Sequence, residues 1–251
     1  MSVNFPTNTM ILIVAAMIGL AVSFWFSLSQ ALNQLPIAQP IRRNWRWGIA
    51  ILLITWLFVR LALVIRPPDG PVLGTPFIVA FIVFGVFVGT LPLLISPQFR
   101  QIVRSIPQTW LVGIHTIRVG GFLFLALLDM NLLPAQFALP AGYGDITVGL
   151  LALVIIYLLT KGNFYARTLT IGWNLLGLLD FIVALTTGII FIGPFAAQLG
   201  TSGVSLSYLN YVLIIPTFGV PVFTLLHVYS LFQMLSSTEN VKQSLKAPVT
   251  S

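Results

Sequence analysis

The sequence predicts an all-α membrane protein: a bundle of seven transmembrane helices, N-terminus outside and C-terminus cytoplasmic. Three observations predict it. Hydrophobic residues make up 58% of the 251 and charged residues only 7%, against roughly 25% charged in an average soluble domain. The apolar residues gather in seven runs near the ~20 residues that a helix needs to cross a bilayer. The basic residues concentrate in alternate connections between those runs. So little charge could not cover a soluble core of this size, which excludes a cytosolic enzyme, a nucleic-acid binder and a disordered chain.

The predicted spans, numbered 1 to 7, lie near Thr9–Ala31, Arg46–Ile65, Thr75–Ile95, Gln108–Leu128, Asp145–Thr160, Thr168–Phe191 and Tyr208–Met234. Together they form one domain over residues 1–234, followed by a short polar cytoplasmic tail at 235–251. Span 1 is read as a retained helix. No Lys or Arg precedes it, and its apolar run is too long for the core of a cleaved signal peptide. Span 3 carries Gly85 and Gly89, a small-residue pair that allows close helix approach. Span 5 is the shortest, about 24 Å at 1.5 Å per residue. The apolar connection Asn131–Gly144 before it, bracketed by Pro134 and Pro140, is expected to lie in the outer interface or fold over the bundle. Span 7 carries Pro216, Gly219 and Pro221, so a kink or local unwinding is expected there. Tyr208, Tyr211, Trp45, Trp47 and Trp110 fall at span ends and read as an aromatic belt, whereas Trp173 reads as core.

The charges fix the expected orientation. Arg42, Arg43 and Arg46, then Arg100 and Arg104, then Lys161 and Arg167, and finally Lys242 and Lys246 share one set of connections; the opposite set holds only Arg66. This positive-inside bias accounts for the net charge of +7 without a nucleic-acid partner. The expected location is the cell (inner) membrane, multi-pass, or another bacterial energy-transducing membrane. Cysteine is absent, so disulfides, thiolate nucleophiles, iron–sulfur clusters and Cys-ligated zinc are excluded.

Ionisable residues inside hydrocarbon cost about 2.5–3.5 kcal/mol on insertion scales and normally face the bundle interior. Here they are Arg60, His115, Arg118, Asp129, Asp145, Asp180 and His227, with Asn174 a weaker member. On an α-helix His115, Arg118 and Asp129 share one stripe of span 4. Depth along the helices puts His115 and His227 each about 10 Å from the cytoplasmic end, and Arg118 and Asp180 about 15–18 Å in, near the midplane. The expected ligand-binding or proton-handling set is therefore His115, Arg118, Asp180, His227 and Asn174. Arg60, Asp129 and Asp145 are expected to form an outer charge cluster, with Asp145 also the favoured N-cap of span 5.

The stretch Leu139–Asp145 (Leu-Pro-Ala-Gly-Tyr-Gly-Asp), with Trp173–Asp180 and Ile215–Pro221 ahead of His227, resembles a group of uncharacterised multi-spanning bacterial membrane proteins. The resemblance covers roughly the C-terminal half. It implies no activity and draws attention to Asp145, Asn174, Asp180 and His227 as a set.

The expected function is that of a small-ligand binder or carrier, proton-coupled in one version, with its site between spans 4 and 7. Arg118 would hold an anionic ligand group, Asp180 would pair with it in the empty state, and the histidines would exchange protons or donate hydrogen bonds. Enzymatic chemistry is not expected and no catalytic residue is assigned. The alternatives are a b-type cytochrome with haem b between His115 and His227, and a non-catalytic scaffold assembling membrane proteins through spans 3 and 7. No cofactor or metal is otherwise expected, and retinal is excluded because span 7 has no lysine for a Schiff base. The partners are the lipid bilayer and an unidentified small ligand; protein partners are open.

Overall fold

The computed structural model describes residues 7–64, 75–201 and 207–246. Among them, seven helices are long and apolar enough to cross a membrane: span 1 at Thr7–Gln34, span 2 at Gln39–Leu63, span 3 at Pro76–Ile95, span 4 at Gln108–Asp129, span 5 at Ala135–Thr160, span 6 at Ala166–Gly200 and span 7 at Tyr208–Ser236. No strand occurs among the described residues. The chain is thus an all-α polytopic bundle. Its outside is apolar, with Phe58, Phe77, Phe87, Leu153, Leu175 and Ile182 all more than half exposed, as a lipid-facing surface requires. A short helix, Pro97–Arg104, turns the chain between spans 3 and 4. It is capped by Ser96, whose side chain accepts from the Phe99 N–H.

Spans 4 to 6 carry seven described basic and acidic residues between them and their flanks, and Arg104, Lys161 and Arg167 lie at one end, called here the basic end. Arg66 lies outside the described residues, as do the side chains of Lys242 and Lys246.

Three helices depart from the sequence reading. The connection Asn131–Gly144 is not an interfacial loop. Helix begins at Ala135, after an extended Pro134, and runs through Pro140 to Thr160 without a break. Pro140 sits in the second turn and leaves only the Gln136 carbonyl unpaired; Gln136 is exposed there, so the cost is small. Span 5 therefore has 26 residues, and Asp145 lies in its interior, not at its N-cap. The span-6 helix continues past Phe191 and through Pro194 to Thr201. The helix of span 7 likewise runs beyond Met234 into the predicted tail, as far as Lys246.

Two spans are not α-helical throughout. Span 4 is 3₁₀ from Ile114 to Gly121. Span 7 has a π-helical turn at Ile215–Gly219, where the prolines predicted a distortion. Pro221 has no N–H for the Thr217 carbonyl, and the Trp56 indole of span 2 donates to that carbonyl instead, at 3.0 Å. A neighbouring helix thus satisfies what the proline leaves unpaired. Gly85 of span 3 lies against Trp56 and Pro221, and Gly89 against Leu225; a Cβ at either would overlap those side chains. The Tyr229 hydroxyl donates to the Gly89 carbonyl at 2.8 Å, fixing span 7 to span 3.

Candidate functional site

The interior of spans 4 to 7 is organised around Arg118. Every face of its guanidinium is engaged. Nε donates to Asp145 Oδ1 at 2.7 Å, Nη2 donates to Asp180 Oδ2, and Nη1 donates to His227 Nε2 at 3.1 Å. The group also lies over the Phe181 ring, 4.1 Å from its centroid. One residue of span 4 therefore bonds spans 5, 6 and 7. The arginine side chain is 1% exposed, against 18% for Asp145 and 9% for Asp180.

The remaining bonds of His227 define its state. Its Nδ1 lies 2.8 Å from Asn174 Oδ1. The Asn174 amide nitrogen already donates to the Thr170 carbonyl and to Ser230 Oγ, at 2.8 and 2.7 Å, so Oδ1 can only accept. The Nδ1 of His227 therefore carries the hydrogen and Nε2 offers its lone pair to Arg118. Gln108 closes the chain by donating to Ser230 Oγ. A continuous line of hydrogen bonds thus runs from Gln108, the first residue of span 4 at the basic end, through Ser230, Asn174, His227 and Arg118 to the two carboxylates.

Glycines make the assembly possible. A Cβ on Gly177 would collide with the His227 ring, and one on Gly144 with the Asp180 carboxylate. Spans 4 and 5 also approach closely where Gly121 faces the Gly142 carbonyl and Gly149 faces the backbone of Val119.

On the far side of the carboxylates is a cavity of about 390 Å³. Asp145 and Asp180 are its acidic floor. Its walls include Phe137 of span 5, Ala184, Ile192 and Ala196 of span 6, and Leu213 and Pro216 of span 7. Ala196 is 16 residues beyond Asp180 on one helix, about 24 Å along its axis, so the cavity rises from the middle of the bundle toward the end opposite the basic one. Asp145 Oδ2 and Asp180 Oδ1 have no hydrogen-bond partner among the described residues.

The predicted residues do not all meet. Arg118, Asp180, His227 and Asn174 form one hydrogen-bonded group. Asp145 belongs to this group and not to an outer cluster. His115 stacks on His227 with ring centroids 4.0 Å apart and meets Trp173 edge to face. Neither of its ring nitrogens has a hydrogen-bond partner among the described residues, so it packs as a flat ring beside the hydrogen-bonded line. Asp129 is exposed. A 3₁₀ segment turns about 120° per residue where an α-helix turns about 100°, so His115 and Arg118 eclipse each other while Asp129 swings about 80° away from them. Arg60 is fully buried elsewhere, over Phe81 at 5.3 Å, with no hydrogen bond among the described residues; it does not join Asp129 and Asp145 in an outer cluster. Tyr208, read as part of a belt, is buried and donates to the Leu132 carbonyl at 2.6 Å. Trp173 is core as expected, donating to the Val148 carbonyl at 3.0 Å.

The sequence reading missed Ser230, Gln108, Phe181 and the two glycines. A signal existed for some of them: Ser230 lies three residues after His227, and Gly177 and Phe181 lie three and seven after Asn174, all on shared helix faces.

Haem fits this arrangement poorly. Bis-histidine ligation needs a flat slot between two facing rings. Here the rings are in van der Waals contact, and both nitrogens of His227 are engaged. Among the described residues no group of three or more His, Cys, Asp or Glu is placed to hold a metal ion.

The fold and its interior define a class: a seven-helix membrane protein with a buried ionic centre below an apolar cavity. Residues 73–235 match the family model described as domain of unknown function DUF8737, and the chain belongs to that family. The match covers spans 3 to 6 and span 7 as far as Leu235, including every residue of the Arg118 group. No curated protein and no solved structure matches the chain.

Proposed function

We propose that this protein binds a small ligand inside the membrane, in the cavity above Asp145 and Asp180, and exchanges it against a proton. The observation that carries this reading is the juxtaposition of a 390 Å³ apolar cavity with two carboxylates that line it, each with one oxygen that has no hydrogen-bond partner among the described residues. Pockets of roughly 300–1,000 Å³ with apolar walls and a few convergent polar atoms are the usual form of a small-molecule site. Ionised, two carboxylates and one guanidinium, beside a neutral His227, leave the centre one positive charge short. A net charge in the membrane interior is costly, so the centre is neutralised by a proton or by a cationic group, one at a time.

The role expected of Arg118 changes accordingly. Each of its three nitrogens already donates to Asp145, Asp180 or His227 and it is not part of the cavity lining, so it holds the carboxylates in place and is not the anchor for an anionic ligand. His227 accepts from Arg118 and orients it. The π turn borders the same cavity: Ile215 and Pro216 line it. π turns and mid-helix 3₁₀ stretches are frequent at functional sites, and a carrier needs one such element to move. With the basic end inward, the cavity would open toward the outer side.

The native chain has no cysteine, which makes a labelling test clean. Ala184→Cys lies on the cavity wall one turn above Asp180, and Leu226→Cys is a fully buried control on span 7. In membranes, a small water-soluble thiol reagent is expected to modify the first variant and spare the second. An Ala184→Cys protein as inert as the control would remove the ligand site.

A further inference from the structure

The cavity also indicates what kind of molecule it takes. This step rests on reading it as a ligand site. Its polar side chains are acceptors only: Asp145 and Asp180 line the space and Arg118 does not, each of the Arg118 nitrogens being bonded to Asp145, Asp180 or His227. A carboxylate or phosphate ligand would meet two like charges and find no donor side chain in the lining. A metal ion would need about four to eight ligands, and beyond the two carboxylates the walls are alkyl and aromatic groups. What remains is a head that donates hydrogen bonds and adds the missing positive charge. The walls then require a body that is apolar, since they run for some 24 Å of span 6 without a second polar anchor.

We propose that the cavity binds a lipophilic organic cation, a protonated amine whose ammonium lies between Asp145 and Asp180 and whose apolar body lies along span 6 toward Ala196. A phospholipid with an amine head fits less well, because its phosphate would enter the same acidic floor with nothing to pair it. The ammonium and a proton compete for one place. Binding R–NH₃⁺ to a protonated site therefore releases one H⁺ from the carboxyl and leaves an ammonium–carboxylate pair, with no bond to carbon made or broken.

Three probes of one shape separate charge from bulk: 1-adamantylammonium, 1-adamantanol and adamantane-1-carboxylate. Calorimetric titration and thermal unfolding of the purified full chain in detergent are expected to show binding and stabilisation by the ammonium alone. Its affinity is expected to fall at least tenfold in Asp180→Asn. It is also expected to fall at least tenfold in Ala184→Phe, which fills the cavity one turn above the acid and leaves the Arg118 bonds intact. Ala184→Phe keeps the test decisive should Asp180→Asn fold poorly. Tighter binding of the carboxylate or the alcohol would overturn the ligand class, as would ammonium binding unchanged by Ala184→Phe. Failure of all three probes on a protein whose Ala184→Cys form is labelled would overturn the class and leave the ligand site itself standing.

Discussion

Two arginines are buried among the described residues, and their surroundings differ in almost every respect. Arg118 lies in spans 4 to 7, where three helices contribute an acceptor to it and an aromatic ring covers its face. Arg60 lies in span 2, where spans 1 to 3 contribute apolar packing; among the described residues it has the Phe81 ring and no hydrogen bond. Both side chains are removed from the surface, so burial does not distinguish them. The difference is whether the surroundings were built for a charge. Around Arg118 the acceptors, the glycines that admit them and the cavity form one construction. Around Arg60 the guanidinium is close to the end of its helix, four residues before Val64, where a long side chain can extend toward the membrane boundary.

The sharpest way to break the comparison is to remove each arginine in turn. Arg118→Met leaves two carboxylates without their counter-charge and the Nε2 of His227 without its donor. Taking one partner from a buried ion pair costs about 3–5 kcal/mol, and here two pairs share the partner. Thermal unfolding in detergent is expected to show severe destabilisation or loss of folded protein. A variant within 1 °C of the parent would mean that the carboxylates are solvated independently of Arg118.

What the sequence could show follows the same division. The seven spans and their all-α class were legible because hydropathy and length are properties of each segment alone. Depth along a helix is nearly as simple, and it put Arg118 and Asp180 at one level, where they bond. Angular position was not legible. The eight residues from Ile114 to Gly121 wind as a 3₁₀ helix, and that change of pitch, invisible in the periodicity, rotates Asp129 out of the stripe. Asp145 was misplaced for a different reason. The stretch Asn131–Gly144, which ends in Pro140, Gly142 and Gly144, reads as a connection bracketed by Pro134 and Pro140. In a membrane a helix tolerates them, and Gly142 and Gly144 are used for contact, one against Leu125 and the Gly121 carbonyl, the other against Asp180. The committed state of Arg118 could not be inferred at all, since it depends on three other helices meeting at one point.

The boundary between the two halves gives an intermediate effect. Trp56 of span 2 donates to the Thr217 carbonyl that Pro221 leaves open. Trp56→Phe removes that donor and keeps most of the ring, so the buried carbonyl loses its partner at a cost of about 1–3 kcal/mol. Pro221→Ala restores a backbone N–H four residues on. In a double-mutant cycle the Trp56→Phe penalty is expected to shrink by more than half on the Pro221→Ala background. Additive losses would show that the indole matters by packing and not by satisfying the π turn.

The smallest effect, and the only one of opposite sign, is expected at Arg60. A buried charge without acceptors is unfavourable. Replacing buried ionic groups by apolar residues of similar volume is often neutral or stabilising by about 1–4 kcal/mol. Methionine matches the length of the arginine stem and retains the contact with Phe81. Arg60→Met is therefore expected to unfold at the same temperature as the parent or higher, with the response to 1-adamantylammonium unchanged. The same substitution at the two arginines would then move stability in opposite directions, because membrane burial is costly for a charge only where no group has been placed to receive it. A loss of more than about 2 kcal/mol in Arg60→Met, well beyond the ±0.5 kcal/mol of an uninvolved position, would show instead that Arg60 is held by an acceptor and that the two halves are built on one plan.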